Sequence, residues 1–190
     1  PAAADHPYLA RKGVQPHGTA ADGQGCLVLS MADAAGKIWS LQTINDRGEK
    51  RFMPGGRKKG CAFWLGDPGD RIVIAEGFAT GASIHEATGL PVAVAFDCGN
   101  LEPVAVAIRA RWPQAQIVVA ADDDRQTEGN PGLTKAGAAA ATVGGTVAVP
   151  AFSGTGTGTD FNDLHAAEGI EAVAAIVLEA FPKIEPEIEV

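Results

Sequence analysis

The pattern of apolar and polar positions changes near residue 70. In residues 26–66, the β-type runs CLVLSM, KIWSLQTI and EKRFM are separated by the turn-forming sequences DAAG and NDRG, which predicts an antiparallel meander. A fourth apolar run, CAFWLG, follows the loop GGRKKG and is included in this meander. Residues 5–20 are less regular, and one short helix is predicted there, around Tyr8 to Lys12.

From Arg71 onward, β-type runs alternate with helix-type runs, which predicts a parallel sheet with right-handed crossovers. The strands are RIVIAE, PVAVAFD, QIVVAADDD and TVAVPAF. The helices are FATGASIHEAT, LEPVAVAIRARW, LTKAGAAAATVG and a last one from about Gly169 to Glu179. The fold class is therefore α/β, with a parallel-sheet, Rossmann-like subdomain over residues 71–182. A small mixed, mainly antiparallel β subdomain precedes it over residues 1–70, and residues 183–190 are expected to be a tail or linker stub.

The composition is that of a globular protein, with 46% hydrophobic and 20% charged residues among 190. No run approaches 18 uninterrupted apolar residues, so we expect no membrane span and a cytoplasmic protein. The cysteines Cys26, Cys61 and Cys98 are far apart and lack metal-ligand spacing, which indicates free thiols.

Charge is distributed unevenly along the chain. Residues 1–70 carry a net charge of +2, whereas residues 71–190 carry −10, for a total of −8. This asymmetry indicates different partners for the two halves, and the overall acidity restricts any nucleic-acid contact to a local basic surface.

Acidic residues follow all four predicted parallel strands, and Asp97 is the one after the second strand. Glu76 follows the first strand, Asp122 and Asp124 follow the third, and Asp160 lies in the loop after the fourth. Because the carboxyl ends of parallel strands meet at one edge of a sheet, these side chains could meet in one pocket. Carboxylate clusters suit Mg²⁺ or Mn²⁺, and two such ions can stabilise a phosphoryl transfer.

Each acidic residue also has an ordinary structural explanation. Glu76 could cap the next helix, and Asp160 could N-cap a segment that begins at Phe161. Asp97 precedes Gly99-Asn100 and is interpreted as a turn residue. Asp123 is expected to point away from its two neighbours, because side chains alternate along an extended segment, and to face solvent or support the site from behind.

The order IVIAEG, VVAADDD and TDFNDL resembles the Toprim domain of bacterial-type primases, topoisomerases and some nucleases. The stretch EGFATGASIHEATGLPVAVAFDCGNL is similar to the version in primases of conjugative plasmids, integrative elements and satellite phages. The resemblance covers residues 71–165, and HPYLARKGV with the following meander resembles the segment that precedes Toprim in those primases.

The resemblance implies site residues. It makes Glu76, Asp122 and Asp124 catalytic, and it adds Asp160 as a fourth metal ligand, with Asp163 as an alternative beside it. Two features depart from housekeeping primases: Thr80 stands where they have an aspartate, and RQTEGNP separates the aspartates from the next helix. This longer loop could bring Arg125 and Lys135 to incoming nucleotide phosphates, or it could simply be mobile.

The basic half of the chain is expected to hold nucleic acid. Three aromatic residues near its charged loop, Phe52, Phe63 and Trp64, could stack on unpaired bases. The alternative is a loop that only aids solubility, with these aromatic residues in the core. The predicted nucleic-acid-binding cations are Lys50, Arg51, Arg57, Lys58 and Lys59.

The resemblance therefore implies a primase catalytic core that joins nucleoside triphosphates on a single-stranded DNA template, with Mg²⁺ or Mn²⁺. Zinc-binding and helicase modules of the same parent protein are the implied partners. The alternatives are a Toprim nuclease and a non-catalytic Toprim module that binds nucleic acid. A topoisomerase is disfavoured because the one tyrosine, Tyr8, lies in the irregular N-terminal stretch.

Overall fold

The computed structural model describes residues 1–154 and 158–183, which form two β-sheets and six α-helices. The first sheet contains β1 (Ala20–Ala21), β2 (Leu27–Ala32), β3 (Ile38–Ile44) and β4 (Lys50–Phe52). The second contains β5 (Phe63–Leu65), β6 (Arg71–Ala75), β7 (Val92–Val94), β8 (Gln116–Ala120) and β9 (Thr146–Ala148). The helices are α1 (Pro7–Lys12), α2 (Phe78–Thr88), α3 (Leu101–Arg111), α4 (Pro131–Val143), α5 (Phe161–Glu168) and α6 (Ile170–Glu179).

The first sheet is the predicted antiparallel meander, in the order β1-β2-β3-β4. Alternate residues of β2 face the core, as period-two burial requires. The turns are closed by side chains: Asp33 accepts hydrogen bonds from the backbone amides of Ala35 and Lys37, and Asn45 does the same in the next turn. The sequence prediction of these three strands is confirmed.

The second sheet has the order β5-β7-β6-β8-β9, with β7, β6, β8 and β9 parallel. Its central strands β6 and β8 are buried on both faces, which explains their continuous β-branched sequences. Helices α3 and α4 pack with one face. Helices α2, α5 and α6 pack with the other face, in a core that also includes α1 and the first sheet.

Two elements differ from the prediction. The run CAFWLG does not extend the meander, because β5 pairs antiparallel with β7 at the edge of the second sheet. This pairing buries Phe63 and Leu65, and one bridge from Ala62 to Ala32 links the two sheets. Helix α5 occupies a segment that the sequence suggested was a loop. The division into subdomains at residue 70 stays a prediction, and most of the predicted tail, residues 184–190, lies outside the described residues.

Across residues 1–154 and 158–183, no helix is long and apolar enough to cross a membrane. The three cysteines are free thiols, as predicted, and only Cys61 is fully buried.

Candidate metal site and nucleic-acid surface

The predicted acidic residues lie at the carboxyl edge of the parallel strands. Among the parallel strands, β7 lies beside β6 on one side and β9 lies beside β8 on the other. The order of the strands along the chain therefore reverses between β6 and β8, which makes this pair the topological switch point of the sheet. Ligands bind at such a switch point in open α/β sheets. Glu76 follows β6 directly, and Asp122 and Asp124 follow β8.

A backbone hydrogen bond brings the fourth acidic residue to the same place. The amide of Asp123 donates to the carbonyl of Thr159 at 2.7 Å, so the chain before α5 lies against the end of β8. Asp160 is therefore close enough for its charge to act on Asp122. The structure thus gathers carboxylates that are separated by up to 84 positions in the sequence, between Glu76 and Asp160.

Asp122 has an unfavourable environment for a carboxylate. Its Oδ1 atom is buried and has no hydrogen-bond partner among the described residues. Burial, and then the charges of Glu76, Asp160 and Asp124, raise the pKa of Asp122 from 3.8 to about 8. A buried anion with an unsatisfied oxygen is stabilised by a bound cation, and an all-oxygen group of donors matches Mg²⁺ or Mn²⁺.

Glu76 belongs to the same electrostatic cluster. Its pKa is raised by burial and by the charge of Asp124, and the charge of Lys50 opposes the shift. We refer to Glu76, Asp122, Asp124 and Asp160 as the acidic cluster. Within the described part of the chain, no three His, Cys, Asp or Glu side chains are placed so that they could hold a metal ion. The cluster is therefore joined by proximity and charge, and its ligand assignment stays a prediction.

Asp160 also caps a helix, as its alternative explanation proposed. Its Oδ1 accepts a hydrogen bond from the Asp163 amide at 2.8 Å, and an Asp163 carboxylate oxygen accepts one from the Thr159 amide at 3.0 Å. This reciprocal cap fixes the start of α5.

The charge of Asp160 also acts on Tyr8. The pKa of Tyr8 is raised to about 12, mainly by burial and secondly by the charge of Asp160. Tyr8 is buried, as expected for a structural residue rather than a nucleophile.

Asp123 organises the loop that follows β8. Of its two expected positions, facing solvent or supporting the site from behind, the first is wrong, because Asp123 is only 6% exposed. It accepts hydrogen bonds from Asn130 Nδ2 at 2.7 Å and from Arg125 Nε. Burial opposes its ionisation, but these hydrogen bonds outweigh burial and hold the pKa of Asp123 below its usual value. Asp123 therefore supports the acidic cluster by fixing the backbone of its neighbours.

The two predicted nucleotide-binding cations have different surroundings. Arg125 is exposed, but its Nε is engaged by Asp123. Lys135 is exposed on α4. Burial, Glu76 and Asp97 raise the pKa of the Cys98 thiol, and the positive charge of Lys135 opposes this rise. Lys135 is therefore close enough to Cys98, in the turn after β7, for its charge to act there.

The basic loop, residues 55–60, is fastened to the second sheet. Lys58 forms an ion pair with Asp97, which directly precedes a short 3₁₀ turn at Cys98–Asn100. The buried Asn100 accepts from the Gly60 amide and donates to the carbonyls of Cys61 and Ala95, all at 2.8–3.0 Å. Asp97 is thus the predicted turn residue, and it also holds one of the predicted nucleic-acid-binding lysines.

The remaining basic residues are accessible. Lys50 and Arg51 are exposed on β4, and Arg57 and Lys59 are exposed in the basic loop. Lys50 also reaches the acidic cluster, where its charge lowers the pKa values of Glu76 and Asp122 against the effect of burial.

Of the three aromatic residues predicted to stack on bases, only Phe52 is exposed, at 41%. Phe63 is buried in the core, and Trp64 packs edge-on against Trp112 with ring centroids 5.5 Å apart. Sequence reasoning missed Trp39, which is 38% exposed beside Lys37 and Arg57. The signal was present: Trp39 has the opposite parity to the buried positions of β3.

The chain belongs to the Toprim domain family, whose model matches residues 71–178. Two curated proteins of Escherichia coli, both described as DNA primase TraC, are 44% and 42% identical to it over 158 residues, or 77% of this chain. The chain spans only 15% and 11% of the length of those relatives. The sequence resemblance to Toprim primases is thereby confirmed.

Solved structures share the fold over most of the chain. The primase fragment of the bacteriophage T7 primase-helicase protein superposes with a TM-score of 0.67 and 19% identity, over 89% of this chain and 73% of that one. The DnaG primase catalytic domain bound to ssDNA gives a TM-score of 0.56 and 16% identity, over 94% of this chain and 62% of that one. The α/β prediction, with a mostly parallel sheet preceded by an antiparallel one, is confirmed.

Proposed function

We propose that this chain is the catalytic core of a primase that joins nucleoside triphosphates on a single-stranded DNA template. The observation that carries the proposal is the acidic cluster at the β6–β8 switch point, with the unsatisfied Oδ1 of Asp122 at its centre. The likeness to DNA primase TraC selects primer synthesis from the several chemistries of Toprim proteins.

Glu76, Asp122, Asp124 and Asp160 would hold Mg²⁺ or Mn²⁺. When bound to these carboxylates, such an ion would supply positive charge for phosphoryl oxygens and would favour the ionised form of an attacking hydroxyl. Glu76 is the candidate base, because burial and the charge of Asp124 raise its pKa and so make it a stronger proton acceptor. Asp123 holds no ligand in this scheme. It keeps Asp122 and Asp124 in position through Asn130 and Arg125.

Cations around the cluster would hold the two polyanionic substrates. Lys135 and the outer nitrogens of Arg125 would contact nucleotide phosphates. Lys50, Arg51, Arg57 and Lys59 would bind the template backbone, whereas Lys58 would act mainly by fixing the basic loop to Asp97. Zinc-binding and helicase modules in a longer parent protein are the proposed partners, since the curated relatives are several times longer than this chain.

Primer synthesis tests the proposal directly. The chain and its parent protein are given nucleoside triphosphates, mixed single-stranded DNA templates and Mg²⁺ or Mn²⁺, and labelled products are resolved by length. We expect template-dependent products, and a loss of at least about 100-fold with Asp122→Asn combined with Asp124→Asn, as for removal of a principal charge-stabilising group. The control is Asp67→Asn, an exposed carboxylate beyond β5 at the opposite edge of the sheet.

Two other outcomes would replace the proposal. Cleavage of labelled single strands without added nucleotides, abolished by the same double substitution, would identify a Toprim nuclease. An absence of Mg²⁺ and Mn²⁺ binding in calorimetry, together with retained binding of single strands, would identify a non-catalytic module.

A further inference from the structure

A buried polar network lies where helices α1, α2 and α5 meet. Asn162 on α5 donates through Nδ2 to the backbone carbonyl of Lys12 at 2.8 Å and to the hydroxyl oxygen of Ser83 on α2 at 3.0 Å. Ser83 Oγ also lies 3.1 Å from Nδ1 of His165. Asn162 is 3% exposed and Ser83 is completely buried. The proposed chemistry uses none of these side chains, so their burial requires another explanation.

The network has a consistent set of hydrogen positions. A carbonyl oxygen can only accept, so the Asn162 atom next to Lys12 is the amide nitrogen, and its second hydrogen is donated to Ser83. Ser83 Oγ therefore accepts from Asn162 and has its own hydrogen available for Nδ1 of His165. Because each of these donors has an acceptor, the pairing fixes the orientation of all three side chains.

Both helices that the network joins begin at members of the acidic cluster. Helix α2 has Gly77 as its N-cap, directly after Glu76, and Ser83 lies about two helical turns beyond Glu76. Helix α5 has Asp160 as its N-cap, and Asn162 lies in its first turn. The hydrogen bond between Asn162 and Ser83 therefore links the two segments that carry Glu76 and Asp160.

Directional bonds constrain α5 in a way that apolar packing does not. Phe161 and Leu164 attach the helix to the core and are fully buried, but hydrophobic attraction has no direction. A hydrogen bond weakens steeply when its length or angle changes, so the bonds of Asn162 resist sliding and rotation of α5 against α2. The bond to the Lys12 carbonyl adds α1 as a third support. Buried polar groups of this kind can specify one arrangement of packed elements.

We propose that Asn162 and Ser83 are positioning residues of the metal site, because their hydrogen bonds set the start of α5 against α2 and thereby the separation of Asp160 from Glu76. Neither residue contacts the metal or the substrates in this scheme. The inference rests on the proposed primase function and deepens it, since it assigns how two of the four carboxylates are held at a fixed spacing.

Calorimetric titration of the intact chain with Mg²⁺ tests the inference. Asn162→Ala removes both donors and Ser83→Ala removes the hydroxyl. We expect each variant to bind Mg²⁺ about tenfold more weakly than the unmodified chain, as for loss of a group that orients metal ligands. The double variant should bind within about twofold of Asn162→Ala, because both substitutions break the same chain of hydrogen bonds.

Matched variants separate positioning from a loss of stability. Thr88→Val removes a hydroxyl that donates to the Ile84 carbonyl at the far end of α2. Ile108→Val removes a buried methyl group in the core on the other face of the sheet. Both should lower the melting temperature and leave Mg²⁺ affinity unchanged. Ser83→Cys keeps a weak hydrogen-bonding group at the position and should recover part of the Mg²⁺ affinity that Ser83→Ala loses.

Primer synthesis provides a second measurement. The network variants should need more Mg²⁺ for half of their maximal rate, while the KM for nucleoside triphosphate at saturating Mg²⁺ stays unchanged. If Asn162→Ala does not fold, the comparison of Ser83→Ala with Ser83→Cys decides the question.

The inference is overturned if the network variants melt at lower temperature but bind Mg²⁺ as tightly as the unmodified chain, which is the result for a purely structural network. It is equally overturned if the unmodified chain binds neither Mg²⁺ nor Mn²⁺. Failure of the primase proposal alone is distinguishable: the network variants would still weaken Mg²⁺ binding, but neither they nor the unmodified chain would make primers.

Discussion

At Asp122, burial and charge repulsion both oppose the ionised form of the side chain. Its pKa is raised from 3.8 to about 8 by burial and three neighbouring carboxylates. The folded state holds this proton more tightly than the unfolded state does. The resulting contribution to stability is therefore fully present below the unfolded pKa and is lost as pH rises through the folded pKa. Between about pH 4 and pH 8, therefore, ionisation of Asp122 progressively destabilises the metal-free fold.

Asp122→Asn should remove this pH dependence, because the amide is uncharged at every pH. We expect the melting temperature of the variant to exceed that of the unmodified chain by an amount that grows from about pH 4 to about pH 8 and is constant above. Each kcal/mol corresponds to about 2–4 °C for a chain of this size. Thermal melts in chelator across this pH range provide the measurement.

Magnesium supplies the control for the same substitution. Added Mg²⁺ should raise the melting temperature of the unmodified chain at about pH 8, since binding to the native state stabilises it, and it should have little effect on Asp122→Asn. A melting-temperature difference between the two proteins that does not change with pH would show that Asp122 is not the group responsible.

The residues of the acidic cluster could be found from the sequence because each follows a recognisable strand. The role of Asp123 could not, because it depends on Asn130, which lies across the loop and adopts a left-handed backbone with φ of 41°. The stacking residues were misassigned for a related reason: Phe63 and Trp64 belong to a strand whose partner, β7, is distant in sequence.

At the scale of elements, the start of helix α4 fixes the backbone of the two central aspartates. A Cβ atom added at Gly132 would lie 2.4 Å from the Asp122 carbonyl oxygen and 3.0 Å from an Asp124 carboxylate oxygen. Real Cβ atoms do not approach backbone this closely, so only glycine lets the helix and the strand end meet here. The glycine is thus a packing requirement of the acidic cluster.

Gly132→Ala should therefore displace α4 or the Asp122–Asp124 segment, with a cost of about 1–3 kcal/mol in unfolding free energy. Metal affinity should fall as well. Gly137→Ala is the matched control on the same helix, since nothing lies within 4 Å of its added Cβ. That substitution should be neutral or stabilising by up to about 1 kcal/mol. Urea unfolding of both variants gives the comparison, and equal effects would contradict the packing argument.

Most elements were predictable because their apolar periodicity is local. The run FATGASIHEAT predicts α2 over the residues that the structure gives, Phe78–Thr88. Strand β5 was assigned to the wrong sheet, because a three-residue strand carries no information about its partner. Helix α5 was missed although its capping residues, Asp160 and Asp163, are evident in TDFNDL, because the adjacent glycine-rich sequence favoured a loop.

At the scale of the whole molecule, Asn100 joins the basic loop to the parallel sheet through three hydrogen bonds, two of which are buried. Asn100→Ala would leave one amide and two carbonyl groups without this partner, so we expect about 2–3 kcal/mol of destabilisation. Gln114→Ala, at an exposed position, is the control. Chemical denaturation measures the difference. A cost below about 0.5 kcal/mol would show that the loop is held by its other contacts, principally the Lys58–Asp97 ion pair.

Lys50 couples the two sheets electrostatically, because it lies on β4 of the first sheet and its charge acts on the acidic cluster of the second. Its ammonium group stabilises ionised Glu76 and Asp122 and therefore competes with a divalent cation for the same carboxylates.

Lys50→Met keeps most of the apolar stem and removes the charge. At about pH 9, above the pKa of Asp122 in the unmodified chain, we expect Mg²⁺ to bind about threefold to fivefold more tightly to this variant, consistent with a partly screened interaction of about 1 kcal/mol. Binding of single-stranded DNA should weaken at the same time, since a phosphate-binding cation is lost. Calorimetry with Mg²⁺ and anisotropy with an oligonucleotide measure the two effects, and Lys37→Met, remote from the cluster, should leave Mg²⁺ affinity unchanged. If Lys50→Met weakened Mg²⁺ binding instead, the lysine would be a structural support of the metal site and not a competitor for it.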